Sequence, residues 1–283
     1  MKGDKQDHIE KKEAQNTVMI ISIINNKGGV GKTTTAVNTS VALSILGKRV
    51  LVVDMDSQCN ATDILLNSRQ HHIKNSLCDI LNPEFGVVLS EAIYSTQWLG
   101  LDILPNIPES AILGPKMIIN GVDSLFTLRK YLRSYAAANY DLTIIDCPPN
   151  LEAFVISALI ASDCVIIPTM AGSKFSVNGL IKAKAFIDDI KASHNPDIRF
   201  LKLLVTMADK RTSICNNIIQ AIRQSFDNSE VFNQVIPVNT DFQKAETLGQ
   251  SIFDYNSSAS GAKAYMDVAR EIINVLDAKT NER

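Results

Sequence analysis

The sequence has no long apolar run, no closely spaced cysteine pair and no surplus of charge of one sign. Each absence excludes something. A membrane-spanning helix needs roughly 20 consecutive apolar residues; the longest apolar stretches fall far short, and no membrane partner is expected. The five cysteines, Cys59, Cys78, Cys147, Cys164 and Cys215, are odd in number, widely spaced and without a CxxC pair. They read as reduced thiols, mostly buried as small apolar residues, in a cytoplasmic protein. A formal net charge of −2 gives no global pull onto nucleic acid or acidic lipid, leaving only a local or dimer-generated patch. No signal peptide is visible: residues 1–17 are polar and charged and read as a disordered arm. The four histidines, His8, His71, His72 and His194, lie in polar surroundings and read as surface-loop residues.

What is present is alternation. With 283 residues and 46% hydrophobic composition, the chain can bury one sizeable core. Val18 to Ile24 is an almost continuous β-branched run, suited to a strand buried on both faces. A glycine-rich loop follows, then a helix from Thr33 to Leu46 ending at Gly47, then a second buried strand in KRVLVVDMD. Strand, loop, helix and strand within about 35 residues open a parallel α/β sheet. Further strands are expected at 101–105, 140–147, 163–168 and 199–207, with a last short one at 231–236. Helices are expected at 122–138, 151–160, 175–193, 213–226 and 259–277, and short helical segments at 61–95. The expectation is one α/β domain over 18–277, with a mostly parallel twisted sheet flanked by helices on both faces and a polar tail at 278–283.

The chemistry sits at the strand ends. A loop between a buried strand and a helix turns its backbone N–H groups towards a phosphate chain, and the helix adds its positive end. Gly28, Gly29 and Gly31 let that backbone come close. Lys32 would reach the β- and γ-phosphates and the Thr33 hydroxyl would hold Mg²⁺. The pattern GxxxxGK[ST] has its first glycine replaced by Asn26, followed by Lys27 and GGVGKT. Asp54, or Asp56 two residues on, follows a hydrophobic strand and can face the loop. Asp146 closes the apolar strand LTIID, where a carboxylate is costly unless it meets a cation or donors; Mg²⁺ through water is the ready explanation.

KGGVGKTTTAVN, DMDSQCNAT, IIDCPP, TMADKRT, IPVNTDFQKAE and SASGAKAYMDVAREI together resemble the ParA/Soj partition ATPases, in the deviant Walker A group of P-loop proteins. The resemblance covers residues 18–277. It implies a P-loop NTPase fold, ATP and Mg²⁺ as cofactors, and nucleotide contacts from Lys27, Gly28, Gly29, Val30, Gly31, Lys32, Thr33 and Thr34. Lys27 matches the lysine that reaches the partner subunit's nucleotide across an ATP-dependent homodimer. Asp56 matches the water-orienting aspartate, Asp54 the Mg²⁺-side aspartate and Asp146 the Walker B residue. Pro148 and Pro149 match a switch-like loop.

The resemblance further implies binding to non-specific double-stranded DNA, association with the nucleoid, and slow hydrolysis stimulated by a ParB-like centromere-binding protein or another adaptor. Lys210 and Arg211 are the candidate DNA contacts, with Arg223, Lys244, Lys263 and Arg270 as further charge. The sequence departs from the family at Ser57, where a proline is usual, and at Val238 and Asp241, where basic residues are common. The second reading is therefore a ParA-like ATPase that positions a protein cargo, or uses a membrane track, without binding DNA.

Overall fold

The structure is a computed structural model that describes residues 18–67, 73–171 and 175–281. The expected arm 1–17, His8, His71 and His72 lie outside these residues. Seven strands form one sheet: β1 (Met19–Ile23), β2 (Val50–Asp54), β3 (Tyr94–Ser95), β4 (Leu101–Leu104), β5 (Leu142–Asp146), β6 (Cys164–Met170) and β7 (Arg199–Thr206). Their order is β3-β4-β2-β5-β1-β6-β7. Every pairing is parallel except β3 with β4. The helices are α1 (Lys32–Ile45), α2 (Asn60–Leu66), α3 (Leu77–Ile80), α4 (Leu113–Ile119), α5 (Val122–Leu125), α6 (Thr127–Asn139), α7 (Ala153–Ala161), α8 (Phe175–Ser193), α9 (Ser213–Ser225), α10 (Thr240–Thr247), α11 (Ile252–Asn256) and α12 (Ser260–Asn281).

The β-branched run of β1 is buried on both faces because successive side chains point to opposite sides. Ile20 and Ile24 join the core formed with α6, α7, α8 and α9. Met19, Ile21 and Ile23 join the core formed with α1, α2, α11 and α12. The central strands therefore have no hydrated face, as a parallel sheet covered by helices requires.

Four expectations change. The helix over 122–138 divides into α5 and α6 at Phe126, where the Ser124 hydroxyl turns back onto the Met117 and Gly121 carbonyls; such local bonds compete with the helical ladder. Residues 231–236 form no strand. Phe232 and Ile236 donate to Leu203 and Val205 of β7, but the N–H groups of Asn233 and Gln234 between them go to Glu271 of α12. That carboxylate lifts the segment off the sheet edge. Helices α4, α10 and α11 lie beyond the expected elements, as does the two-residue β3. Finally, α12 continues to Asn281, into the segment expected to be tail.

The two late motifs meet in one packing unit. Phe242 of α10 packs edge-on against Tyr265 of α12, with ring centroids 5.8 Å apart, and the Tyr265 hydroxyl lies 3.2 Å from Thr35 Oγ1 of α1. Gly261 is required here: a Cβ would sit 2.4 Å from the Phe242 ring. Replacing Gly261 by alanine is expected to push Phe242 off Tyr265 and destabilise the domain by about 1–3 kcal/mol. A thermal melt would then show a loss of about 2–4 °C per kcal/mol; an unchanged melt counts against this packing.

Candidate functional site at the strand C-terminal ends

Parallel pairing sets the site. Ile23 of β1 pairs with Asp146 of β5, and Asp146 pairs with Asp54 of β2, so the glycine-rich loop and both acidic strand ends emerge together. The loop turns at Gly29 (φ 71°) and Gly31 (φ 83°), in the left-handed region that glycine enters without penalty. Asn26, Lys27, Gly28 and Gly29 are exposed, and Val30 is buried beneath them. Two side chains outside the loop's own pattern hold it. Asn25 donates from Nδ2 to the Pro168 carbonyl at the end of β6 and accepts the Lys27 N–H. Thr206, closing β7, donates to the Val30 carbonyl at 2.9 Å. Nothing periodic in the sequence marks either residue; their signal is adjacency to a strand end.

Lys32 opens α1 and is nearly buried. Its ammonium donates to the Lys27 carbonyl at 3.2 Å. Burial lowers its pKa, while the charges of Asp146 and Asp56 favour its protonated form. Thr33 and Thr34 are half-buried beside it, and the Thr34 carbonyl accepts from Asn38 Nδ2. Asn38 also accepts the Ile252 N–H of α11, tying the loop helix to the late helical unit.

The carboxylates divide sharply. Asp146 is fully buried, and neither of its oxygens holds a hydrogen bond of ordinary length and angle. Burial first, and then the charge of Asp54, raises its pKa well above the usual carboxylate range; Thr33 and Lys32 oppose that shift. A buried carboxylate with two open oxygens beside a hydroxyl and an ammonium is the donor chemistry that fits a hard cation. Asp54 is equally buried, but both oxygens are engaged. Oδ1 accepts the Asp56 N–H at 3.0 Å, and Oδ2 accepts the N–H and hydroxyl of Thr62 at 2.9 and 2.7 Å. Its pKa is pushed up to about 6, by burial first, with the Thr62 bonds opposing. Asp56 is nearly buried and accepts the Gln58 N–H on Oδ1.

Lys210 and Arg211 line a cleft to which the loop and the strand-end carboxylates contribute no residue. This cleft, of about 430 Å³, is lined by residues including Ala208, Lys210, Arg211, Pro237 and Val238, just beyond the point where Thr206 touches the loop. Arg211 is exposed and forms a two-pronged pair with Asp209 at 2.8 and 2.9 Å.

With this geometry in place, similarity to known proteins is informative. The AAA domain family matches residues 18–200. The chromosome partitioning protein ParA of Myxococcus xanthus is 34% identical over 265 residues, covering 93% of this chain and 91% of that protein. The sporulation initiation inhibitor protein Soj of Bacillus subtilis is 35% identical over 254 residues, covering 89% and 97%. This chain belongs to the ParA/Soj family of P-loop ATPases. Among solved structures, cobyrinic acid a,c-diamide synthase from Mycobacterium smegmatis, with a bound ATP analogue and magnesium, aligns with a TM-score of 0.76 at 26% identity, covering 93% of this chain and 97% of that one.

This ParA/Soj-family chain is thus a Mg²⁺-dependent ATPase of the partition and positioning type, with ATP and Mg²⁺ as cofactors. The open oxygens of Asp146 agree with that assignment on the molecule's own geometry. Among the described residues, no helix is long and apolar enough to cross a membrane.

Proposed function

We propose that the protein is an ATP-gated homodimer that positions a protein-borne cargo, and that the surface carrying Arg211, Val238 and Asp241 does not bind DNA. One observation carries this reading: three of the basic residues expected to build a DNA face are paired with carboxylates of their own chain. Arg211 pairs with Asp209, Lys244 with Asp241 and Arg270 with Asp267. Each pair sets a negative charge beside the cation, which opposes phosphate contact and reduces the counterion release that drives non-specific binding. Val238 is exposed on the same rim.

In this reading the backbone N–H groups of residues 28–34 cradle the phosphates and Lys32 neutralises them. Thr33 and Asp146 would hold Mg²⁺, which would supply charge neutralisation to the phosphates when bound. Asp56 orients the attacking water. Lys27, exposed at the loop tip, completes the site of a facing subunit, so dimerisation follows nucleotide state. An adaptor that settles this arrangement would stimulate hydrolysis and release the dimer from its cargo.

A second reading keeps non-specific DNA as the track and a ParB-like protein as the adaptor; the exposed Lys210 and the chromosome-partitioning name of the Myxococcus xanthus relative favour it. The deciding experiment measures mass in solution and retention of non-specific duplex DNA with ATP, ADP or no nucleotide, at low and moderate salt. The expected result is an ATP-dependent doubling of mass with no ATP-dependent DNA retention. Salt-sensitive retention that is lost in both Lys32→Ala and Arg211→Glu would replace the first reading with the second.

A further inference from the structure

We infer that Thr62 is a positioning residue for ATP hydrolysis: its hydroxyl clamps Asp54, and Asp54 in turn fixes Asp56. The inference rests on the reading of Asp56 as the water-orienting carboxylate. Thr62 stands in the first turn of α2, a helix whose N-cap, Cys59, supplies no side-chain acceptor. Asp54, at the end of β2, takes that part across the loop by accepting the Thr62 N–H at 2.9 Å. A carboxylate beside a helix N-terminus is favourable, so this bond alone is an ordinary structural device.

The hydroxyl goes further. Thr62 Oγ1 donates to Asp54 Oδ2 at 2.7 Å and accepts the Asn106 N–H at 3.0 Å. Its hydrogen is therefore directed at Asp54, and its acceptor side is held by the segment leaving β4. The other Asp54 oxygen accepts the Asp56 N–H at 3.0 Å. Asp54, Thr62 and Asn106 are all buried, so no solvent competes for these bonds. The chain Asn106–Thr62–Asp54–Asp56 thus runs from the exit of one strand to the backbone beneath the proposed water-orienting group. It sets the rotamer of Asp54 and, through it, where the Asp56 main chain sits. Misplacement of a reacting group by about an ångström costs on the order of 10²-fold in rate; loss of one of the three bonds that hold Asp54 should cost less.

The test is Thr62→Val in the full chain, which removes the hydroxyl and keeps the branched shape and the N–H donor. The expected result is a fall in kcat for ATP of about tenfold. Affinity for a fluorescent ATP analogue should stay within about twofold, and Thr62→Ser should restore most of the rate. A folded Thr62→Val protein with wild-type kcat overturns the inference, and so does a parallel loss of affinity and rate or a serine variant that fails to rescue. Should the valine variant lose its cooperative melt, Thr62→Ala in the same assays decides by the same criteria. Asp56→Asn separates the two layers. Wild-type turnover in Asp56→Asn overturns the water-orienting reading and this inference with it. Loss in Asp56→Asn without loss in Thr62→Val overturns the inference alone.

Discussion

Lys32→Ala is expected to lower ATP turnover by roughly 10²–10³-fold, the range found when a single preorganised charge-stabilising group is removed. The expectation rests on where this ammonium sits. It is nearly buried, it is held to the loop by the Lys27 carbonyl, and it faces Asp146 and Asp56. An exposed lysine would be screened by water and ions; this one is not. Alanine removes the cation from the phosphate cradle and also leaves two carboxylates without their nearest positive charge. Phosphate release at saturating ATP, with melting temperature followed alongside, measures the effect. A folded alanine variant that keeps more than a tenth of wild-type turnover would contradict the role assigned to Lys32.

Asp146→Asn should move stability and activity in opposite directions. Without nucleotide and Mg²⁺, the folded chain holds Asp146 and Asp54 away from water, and burial raises the pKa of both. The unfolded chain ionises its carboxyls near 3.8, so between that value and the folded value the native state binds more protons. Stability is then fully present below about pH 4 and falls as pH rises, through about 6 for Asp54, with Asp146 acting in the same direction. Asparagine at 146 removes a buried charge. At pH 7.5 the nucleotide-free variant should melt about 2–8 °C above wild type, from about 1–2 kcal/mol of relieved burial. The gain should shrink as pH falls towards the range of an unfolded carboxyl, because the unfolded chain then loses its own preference for the charged form. Mg²⁺-dependent turnover should fall at least about 10²-fold. A variant that melts at or below wild type at pH 7.5 would show that this carboxylate is not strained by burial.

These expectations come from the part of the chain that its sequence describes best. The run Val18–Ile24 has one reading because six apolar residues interrupted only by Ser22, leading into GGVGKT, leave no amphipathic alternative, and β1, α1 and β2 lie where periodicity puts them. LTIID likewise announces both β5 and its costly terminal aspartate. Residues 61–125 carry a weaker signal because their helices are short and held by tertiary bonds. The capping box of Ser76 and Asp79 was the available local mark. Helix α11 carries a similar one in Ser251 and Asp254, and α10 is capped by Asn239; cap residues with no long apolar stripe behind them are easy to pass over. The difference between Asp54 and Asp146 could not be read at all. Both are acidic ends of buried strands, and only the fold brings Thr62 to one and leaves the other open. The same holds for Asp209, which lies two residues before Arg211 in sequence but neutralises it only through the turn the loop adopts.

The way β7 is finished bears on how copies of this chain can meet. An open strand edge is a template on which other chains add strands, and soluble proteins close or blunt such edges. Here the Leu203 and Val205 carbonyls of β7 are already taken by the N–H groups of Phe232 and Ile236, and Glu271 holds the intervening backbone away from the edge. At the opposite side, β3 contributes only two residues and runs antiparallel. Among the described residues, neither border offers a long flat ladder for fibril-like growth. Edge-to-edge stacking of copies, which has no natural stopping point, is thereby disfavoured.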